Sequence, residues 1–555
     1  MTNWTRRGFL RTGGAIGLAG LAARPGGAYA EDGWRQGDLL HLVPGANHER
    51  FVVKCSFRAP RTPPVLRVGD LRVPARTTDS ESRYFAFDAR GLQSDHAYSL
   101  QLVDDADAPL TDPWPLRTYP APDATPESVR LLAYTCAGGH PSYPAFTADT
   151  QPFLSLALRR RLLARALSFR PAAAIAIGDH VYWDQRTQLD SHRANVREAA
   201  SAWYASVGPL DRGLPAKGTS NEAAIKAAVE PQFGELYGVM LRSTPSYFVN
   251  DDHDYYENDE ATDRFVTLPP HAYQLSFGRF TRDLFMPEFL PDPARPALMS
   301  GSGAGDREAG VSESFGTFRY GNLAEALIYD CARFLSLKGD VAGLVPPEAE
   351  AWLTARTADQ RVRHLFHVPS HPFGWTAGKW REWYPDVADV GEGDTAIAQM
   401  RADGQRFRLT TERRKFFWQR GWFLQHQRLL AALSGQRDRA GIVLSGDLHA
   451  TGHVRIRESA ELDLTSNPVH AILTGPLGTG RGWPSRARGT LPLTPHGLGL
   501  EDIAAVREKN GFALFDIAPD AVTVRLFEWR RGEPEDAIDT LAPYHTHTIP
   551  RRATG

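Results

Sequence analysis

The feature that most constrains this chain is a set of polar clusters, each placed where a buried apolar run of residues stops. Such runs end in Gly-Asp-His-Val-Tyr at 178–182, in Asn-Asp-Asp-His-Asp at 250–254 and in Gly-Asp-Leu-His at 446–449. In an open α/β sheet, ligands bind outside the carboxyl ends of the strands, so separated segments can converge there. The converging side chains would be carboxylates, imidazoles and one phenol, which is a donor set suited to metal ions. The sequence therefore predicts an α/β fold with a metal centre at a sheet edge.

A βαβ unit is predicted to open this α/β region. Residues 129–134 form an apolar strand pattern, 152–169 carry apolar side chains at helical spacing, and 172–177 form the next strand pattern. Further apolar runs predict strands at 246–249, 324–329, 363–368, 441–445, 469–474, 511–517 and 521–529.

Two segments, 185–240 and 256–320, are rich in Gly, Pro and aromatic residues and are predicted to be insertions around the site. We expect their aromatic side chains to form the rim of a substrate site. The side chains concerned are Trp203, Tyr204, Phe233 and Tyr255.

The region before the α/β pattern predicts a small all-β domain at 31–122. Short β-type runs alternate there with Pro, Gly, Asp and Ser turns, which is typical of a β-sandwich. Gly91-Leu92, Tyr98 and the closing run 116–118 resemble a fibronectin type III or Ig-like domain. The Pro-rich segment 120–126 then predicts a linker.

The first 30 residues resemble a twin-arginine signal peptide. Arg6-Arg7 precede a Gly- and Ala-rich apolar stretch at 13–23, and Ala28-Tyr29-Ala30 forms a small-x-small cleavage site. The stretch is shorter than the ~20 residues that a membrane span needs, so no transmembrane segment is expected. We therefore expect export by the twin-arginine translocase to a periplasmic or extracellular location.

Composition narrows the choice of partners. The 555 residues are 42% hydrophobic and 23% charged, with a formal net charge of −2, which is typical of a globular chain. This charge balance gives no electrostatic reason to expect stable nucleic-acid binding. Three cysteines, Cys55, Cys136 and Cys331, argue against a disulfide scaffold because an exported chain needs an even number to pair them all.

Each polar cluster also has an ordinary structural interpretation. Asp179 could cap the next helix while Tyr182 packs in the core, and the acids at 250–260 could lie on a solvated loop. A free Cys such as Cys136 is usually a small buried hydrophobe, although the following Gly138-Gly139 would permit close approach of a ligand.

Three strand ends carry further candidates. Asp447 and His449 stand two residues apart, so an extended chain would place them on the same side, and His453 follows. Arg333 could clamp a phosphate with two hydrogen bonds, or form an ion pair with a neighbouring acid. His371 ends another apolar run.

Taken in chain order, these motifs resemble the PhoD-like (alkaline phosphatase D) family of calcineurin-like metallophosphoesterases. The motifs are Cys136, Gly-Asp-x-x-Tyr at 178–182, Asp-Asp-His-Asp with a following Asn at 251–258, and Gly-Asp-x-His at 446–449. The resemblance covers nearly the whole chain and implies a metallophosphoesterase β-sandwich flanked by helices at 128–548, behind the all-β domain.

The resemblance also implies two metal ions, Fe³⁺ and Ca²⁺, with Mn²⁺, Zn²⁺ or Mg²⁺ as alternatives to calcium. The ferric ion would be held by Cys136, Asp179, Tyr182 and Asp447. Asp179 would bridge to a second site formed by Asp251 or Asp252, Asn258 and His449. The expected Asp-Thr-Arg is replaced by Asp330-Cys331-Ala332-Arg333, and whether His371 or His453 is a ligand stays open.

The implied function is hydrolysis of phosphoric esters, as a phosphodiesterase, an alkaline phosphatase or both. A metal-bound hydroxide would attack phosphorus in line, with His253 protonating the leaving alkoxide and Arg333 binding the phosphoryl group. The substrate would be a small phosphoester or a phospholipid, and the protein is expected to be a monomer. Two alternatives are an inactive cell-envelope binding protein on the same fold and a phospholipase D-type hydrolase of the same branch.

Overall fold

The computed structural model describes residues 33–141, 153–183, 194–255, 272–290, 315–334, 343–375, 420–479 and 497–552, with a few single positions between them. The predicted signal peptide and Asn258 lie outside these residues. The chain from Arg35 to Gly555 forms one compact unit. Within the described ranges, no helix is long and apolar enough to cross a membrane.

Eight strands precede the α/β region and form two four-stranded antiparallel sheets. One sheet has the order β1-β2-β6-β5 and the other β4-β3-β7-β8. Residues 65–74 form a hairpin of β3 and β4, because Gly69 turns the chain with a φ of 57°. The strands are β1 Leu39–Ala46, β2 Arg50–Phe57, β3 Val65–Val68, β4 Leu71–Pro74, β5 Arg76–Thr77, β6 Tyr84–Arg90, β7 Ala97–Val103 and β8 Trp114–Arg117.

Buried ion pairs join this all-β region to the rest of the compact unit. Lys54 on β2 is buried, and its Nζ lies 3.2 Å from Asp283 Oδ1 and 3.1 Å from Glu288 Oε1. Lys226 Nζ similarly lies 2.7 Å from Asp79 Oδ2. Removing one partner of such a pair would leave an uncompensated buried charge, so these contacts hold the two regions together.

Two larger sheets form the α/β region, which confirms the predicted α/β class. In the six-stranded sheet, with the order β11-β10-β9-β20-β21-β22, the strands β9, β10 and β11 are parallel. In the eight-stranded sheet, β13, β14, β15 and β18 are parallel. The strands are β9 Val129–Thr135, β10 Ala173–Ile177, β11 Ser246–Val249, β12 Phe315–Tyr320, β13 Ala324–Tyr329, β14 His364–Pro369, β15 Ile442–Ser445, β16 Thr451–Ser459, β17 Leu462–Asp463, β18 Val469–Thr474, β19 Leu498–Arg507, β20 Asn510–Ala518, β21 Ala521–Trp529 and β22 His545–Pro550.

The two large sheets pack face to face. The rings of Phe366 on β14 and Phe515 on β20 meet edge to face at 6.0 Å, and Thr135 at the end of β9 bridges to Pro476 beyond β18. Strands such as β10 and β13 are buried along their whole length, which explains why their sequences are continuous apolar runs rather than alternating ones.

Helices cover the outer faces of these sheets. The predicted helix at 152–169 begins later, at Leu156, because Ser155 Oγ caps it by accepting a hydrogen bond from Leu158 N. The described parts of the predicted insertions contain α2, α3 and α4, and the second insertion ends in β12 of the eight-stranded sheet. Glu230–Gly234 continues α3 as a π-helical turn. The helices are α1 Leu156–Leu167, α2 Ala194–Val207, α3 Ser220–Val229, α4 Ala272–Phe285, α5 Pro347–Ala358 and α6 Arg420–Ser434.

Candidate metal centre

The carboxyl ends of the parallel strands meet where the two large sheets come together. Cys136 follows β9, Asp179 follows β10, Asp251 follows β11, and Asp447 follows β15 of the other sheet. Thr135 ties these ends to one another, because its Oγ1 donates to Ile177 O and accepts from Asp447 N at 3.3 Å. The site is therefore assembled from both sheets and exists only when they pack.

One group of potential ligands surrounds Asp179. Its Oδ2 lies 3.2 Å from Cys136 Sγ, accepts a hydrogen bond from Tyr182 Oη at 2.9 Å and lies 3.6 Å from His449 Nε2. Tyr182 Oη lies 3.1 Å from the same histidine nitrogen. Ligand atoms of Cys136, Asp179 and His449 all lie within 4.8 Å of one another, so this group could hold one ion.

A second group consists of carboxylates. Asp251, Asp252 and Asp447 offer oxygens that lie within 4.8 Å of one another, and Asp179, Asp252 and His253 form a third such group. The carboxylates of Asp179 and Asp252 therefore connect the thiolate end of the centre to the acidic end. The resemblance assigned Asp447 to the iron site and His449 to its neighbour, whereas the structure groups His449 with Cys136 and Asp447 with the two acids.

The residues present fit bound cations. The three groups contain seven different residues. None of these seven, and not Tyr182 either, is more than 5% exposed. Burial, and then the carboxylates of Asp252 and Asp447, raise the pKa of Asp251 well above its usual range. Within the described part of the chain, both Asp251 side-chain oxygens and Asp179 Oδ1 are buried without a hydrogen-bond partner. Cations would satisfy these oxygens and relieve the repulsion.

The Cys136 thiol and the Tyr182 phenol are held in their protonated forms, and a bound cation would be needed to ionise them. Burial is the main cause that raises the pKa of Cys136 and of Tyr182 well above their ordinary values, and the Asp179 carboxylate adds to it in both cases. A metal ion reverses this effect, because a coordinating thiol loses its proton.

Backbone strain is concentrated at the same residues. Cys136, Asp179, Asp447 and His449 have positive φ values between 49° and 63°, although none is glycine. Such conformations cost of order 1–3 kcal/mol each and persist only where the surrounding structure fixes them, which is common at functional sites.

The glycines of the two Gly-Asp motifs are required by close approach. A Cβ on Gly178, whose φ is 69°, would lie 2.5 Å from Asp251 Cβ. A Cβ on Gly446 would clash with the side chain of Thr135 and lie 2.6 Å from Ile177 O. The motif that pointed to chemistry in the sequence thus also lets the strand ends approach one another.

Two polar side chains position the ligand loops, and sequence reasoning assigned no role to either. Asp254 accepts hydrogen bonds from the backbone N–H groups of His180 and Val181 at 2.8 and 2.9 Å, and from Asp251 N at 3.0 Å. The Asp254 carboxylate therefore joins the loop after β10 to the loop after β11. The sequence signal that could have identified Asp254 is its place in the run Asp-Asp-His-Asp after β11.

The second is Gln232, which lies in the π-helical turn Glu230–Gly234. Its Oε1 accepts from Gly139 N and from Tyr182 N, both at 2.9 Å, and its Nε2 donates to Ala228 O. Single π-helical turns inside helices often occur at functional sites. No sequence motif marks Gln232, because its partners are distant backbone groups.

The two residues predicted to be catalytic, His253 and Arg333, have different surroundings. The ring of His253 packs on the ring of Tyr182 with a centroid separation of 4.4 Å, and its Nε2 lies 3.6 Å from Asp252 Oδ2. Arg333 is buried after β13, where its backbone N–H donates to Asp330 Oδ1. Arg333 lines a small cavity together with Asn250 and Tyr255.

Other candidates lie apart from the ligand groups. None of the three groups found among the described residues contains His371 or His453. His371 is buried after β14, and burial lowers its pKa well below the usual value. Asn258 lies outside the described residues, so its predicted role as a ligand remains a prediction.

The prediction that aromatic side chains form a substrate rim does not agree with their positions. Trp203 and Phe233 are buried in the core around α1 and α3, and Tyr255 is buried in a separate core region. Tyr255 Oη donates to Asp330 Oδ2. Aromatic insertions after a strand can fill a core as readily as they surround a site, and these side chains fill the core.

Solved structures show the same architecture. The chain superposes on a structure described as that of PhoD with a TM-score of 0.55 and 12% identity, over 93% of this chain and 91% of the other. It also superposes on purple acid phosphatase PPD1 from yellow lupin (Lupinus luteus) seeds with a TM-score of 0.50 and 10% identity, over 92% and 74% of the two chains. No protein-family model and no curated protein matches the sequence. The chain therefore has a PhoD-like metallophosphoesterase fold.

The positioning role of Asp254 gives a testable prediction. Asp254→Asn keeps the size of the side chain but replaces the carboxylate that accepts hydrogen bonds from backbone N–H groups of two loops. We expect metal affinity to fall about 10- to 100-fold, as is typical when a group that supports metal ligands is lost. The metal content of purified protein after dialysis against graded chelator measures this change.

The matched control for that variant is Asp463→Asn, because Asp463 also accepts a backbone hydrogen bond, from Thr465 N at 2.8 Å, but at an exposed position at the end of β17. Equal metal retention by the two variants would contradict a positioning role for Asp254.

Proposed function

We propose that this protein is an exported, metal-dependent hydrolase of phosphoric esters. The observation that carries the proposal is the buried donor set itself, in which a thiol, a phenol, imidazoles and four carboxylates crowd at the joined ends of the strands. Such crowding is unfavourable without cations and suits a pair of ions that share carboxylates. The likeness of the fold to PhoD and to a purple acid phosphatase supports the same reaction class.

The donor chemistry supports different ions at the two ends. Cys136, Tyr182 and Asp179, with His449 beside them, would hold the ion that prefers thiolate and phenolate, for which we propose Fe³⁺. Asp251, Asp252 and Asp447 are hard oxygen ligands suited to Ca²⁺, or to Mn²⁺, Zn²⁺ or Mg²⁺. Asn258 is proposed as a further ligand at this end.

Ions bound there would neutralise charge on the phosphoryl oxygens and lower the pKa of water, so that a nucleophile is available near neutral pH. His253 is proposed to protonate the leaving alkoxide, because its imidazole lies beside two of the candidate ligands, with Nε2 3.6 Å from Asp252 Oδ2 and its ring packed on the ring of Tyr182. Arg333 is proposed to supply positive charge for the phosphoryl group from the cavity that it shares with Asn250.

Export, domain organisation and oligomeric state also belong to this proposal. The twin-arginine motif at 1–30 supports a periplasmic or extracellular location, reached through the twin-arginine translocase. All three cysteines are free and buried, which agrees with a scaffold that does not depend on disulfides. The two four-stranded sheets support a fibronectin type III-like domain at 31–122, ahead of the catalytic region at 128–548. The protein is proposed to act as a monomer.

An inactive binding protein on the same fold is the alternative from another class. A chain without catalysis has no need for buried carboxylates in strained conformations, and the strain at four ligand positions therefore favours the enzyme. A phospholipase D-type hydrolase would use the same site on a different substrate, so it is a variant of the proposal.

One prediction of the proposed function concerns Asp179, whose carboxylate belongs to two of the three ligand groups. Asp179→Asn should lower the turnover of a chromogenic phosphodiester and a chromogenic phosphomonoester by about 10³-fold or more, corresponding to roughly 4 kcal/mol of transition-state stabilisation. Steady-state kinetics of the metal-replete protein measure the effect, with Asp463→Asn as the control. Absence of turnover in the wild-type protein on both substrates would exclude the proposed activity.

A second prediction concerns the identity of the first ion. If a ferric ion is bound by the Tyr182 phenolate, the protein should be coloured, with a visible charge-transfer band that Tyr182→Phe removes while iron remains bound. Absorption spectra and elemental analysis of the two proteins provide the test. Tyr237→Phe is the matched control, because the Tyr237 hydroxyl is also buried but hydrogen-bonds to Tyr134 rather than to a candidate ligand. An active, colourless protein that contains zinc alone would rule out the ferric assignment.

A third prediction concerns the proton that His253 supplies. His253→Gln should slow hydrolysis of an alkyl ester by about 10²- to 10⁴-fold, because an alkoxide needs a proton to leave. Hydrolysis of a nitrophenyl ester should be much less affected, since nitrophenolate leaves without one. The readout is the ratio of kcat/KM for the two esters, and an equal loss on both would assign His253 a role other than general acid.

A further inference from the structure

Four histidines lie together between the two large sheets, outside the three ligand groups described above. His453 is on β16, His470 on β18, and His545 and His547 on β22. Five pairs of their rings have centroid separations between 5.2 and 6.1 Å. We refer to these four residues as the histidine cluster.

Strand register explains why the four rings face one another. His453 pairs with Ile472 across the antiparallel β16–β18 ladder, so His470 is its diagonal neighbour on the same face. His545 and His547 are two residues apart on β22 and therefore also share a face. Two histidines thus come from the eight-stranded sheet and two from the last strand of the six-stranded sheet.

The cluster is in the chemical form that a metal ligand requires. Burial lowers the pKa of His453 to about 2 and that of His470 to about 3, with help from neighbouring histidines or Arg455. Burial also lowers the pKa of His545 and of His547, so all four imidazoles are neutral at neutral pH. Neutral imidazole is the form that binds transition metals.

Hydrogen bonds within the cluster are incomplete. His453 Nε2 and His470 Nδ1 share one hydrogen bond of 2.9 Å. Within the described residues, His453 Nδ1 and His545 Nε2 are buried without any hydrogen-bond partner, and His453 is wholly buried. A buried polar atom that lacks a partner costs about 1–3 kcal/mol, so some other group is expected to satisfy these nitrogens.

The spacing is close to that around one tetrahedral ion. Zn²⁺ binds imidazole nitrogen at about 2.0–2.1 Å, which places the nitrogens of two ligands roughly 3.3 Å apart and their ring centroids roughly 5 Å apart. The His453 ring lies 5.2 Å from both the His470 ring and the His547 ring. No three of these four histidines bring ring nitrogens within 4.8 Å of one another in this structure, so a four-histidine site requires side-chain rotations that turn the nitrogens towards one point.

We propose that the histidine cluster binds one transition-metal ion of the kind that prefers imidazole, with Zn²⁺ as the expected ion. The ion would link β22 to the eight-stranded sheet and stabilise the packing of the two sheets. The cluster contains no carboxylate, so it should not take Ca²⁺ or Mg²⁺, which prefer oxygen ligands. The inference is independent of the proposed phosphoesterase activity.

The test compares zinc binding by the mature full-length protein and by the double variant His545→Gln/His547→Gln. Both changes lie on partly exposed positions of the last strand, so the variant should fold. Each protein is freed of metal with chelator, equilibrated with Zn²⁺, desalted and analysed for zinc. The double variant should bind one zinc fewer per chain, and the Zn²⁺-dependent rise in its melting temperature should be smaller.

The matched control is Thr546→Gln/Thr548→Gln, which places the same side chains on the exposed face of the same strand. The same comparison is made with Asp179→Asn added to both proteins, to separate zinc bound by the histidine cluster from zinc bound at the strand ends. The difference of one zinc per chain between the two proteins should persist. Substitution with Co²⁺ should give a visible tetrahedral spectrum that the double variant loses. Equal zinc content and equal melting shifts in wild type and double variant would overturn the proposal.

Discussion

The crowding of carboxylates at the joined strand ends is the constraint on which the rest of the structure depends. Asp179, Asp251 and Asp447 are buried close to one another, and burial together with neighbouring carboxylates raises the pKa of Asp179 and of Asp251 well above the usual value. Few folds can hold such a group, because any freedom in the loops would let the acids turn towards water. Here four of the candidate ligands adopt strained φ values, and the backbone at the strand ends is tied together by Thr135, Asp254 and Gln232.

The centre also depends on the packing of two sheets. Cys136, Asp179 and Asp251 belong to one sheet and Asp447 to the other, so neither sheet carries a complete set of ligands. The apolar interface between the sheets therefore sets the positions of the polar groups at its edge. The same architecture recurs in structures only 10% and 12% identical to this chain, which agrees with a fold specified by the apolar pattern rather than by particular residues.

The histidine cluster joins the same two sheets at another place. Its residues come from strands that carry none of the acidic ligands, and its nitrogens are neutral where the strand-end centre is anionic. The two clusters thus illustrate how one sheet interface can offer donor sets of different chemistry, hard oxygen at one place and imidazole at the other.

Sequence reasoning located most strands of the α/β region because strands buried on both faces are continuous apolar runs, and the runs 246–249 and 324–329 coincide with β11 and β13. It also selected most of the side chains that form the three candidate ligand groups, because polar residues directly after such runs are easily recognised. It could not assign roles to Gln232 or Asp254, whose partners are backbone groups of other segments. It placed Trp203 and Phe233 at a rim because aromatic composition does not distinguish a core from a surface.

By itself, the sequence determined the order of the strands along the chain, the kinds of metal ligand and the glycines that allow the strand ends to meet. Only the tertiary structure decided which candidate ligands lie together, since His449 lies with Cys136 and Asp447 with Asp251. Likewise, His453 was one candidate among several histidines until β22 brought His545 and His547 beside it. The physical reason is that a coordination group is defined by distances of a few ångströms between residues far apart in the chain. Those distances are fixed by packing and register.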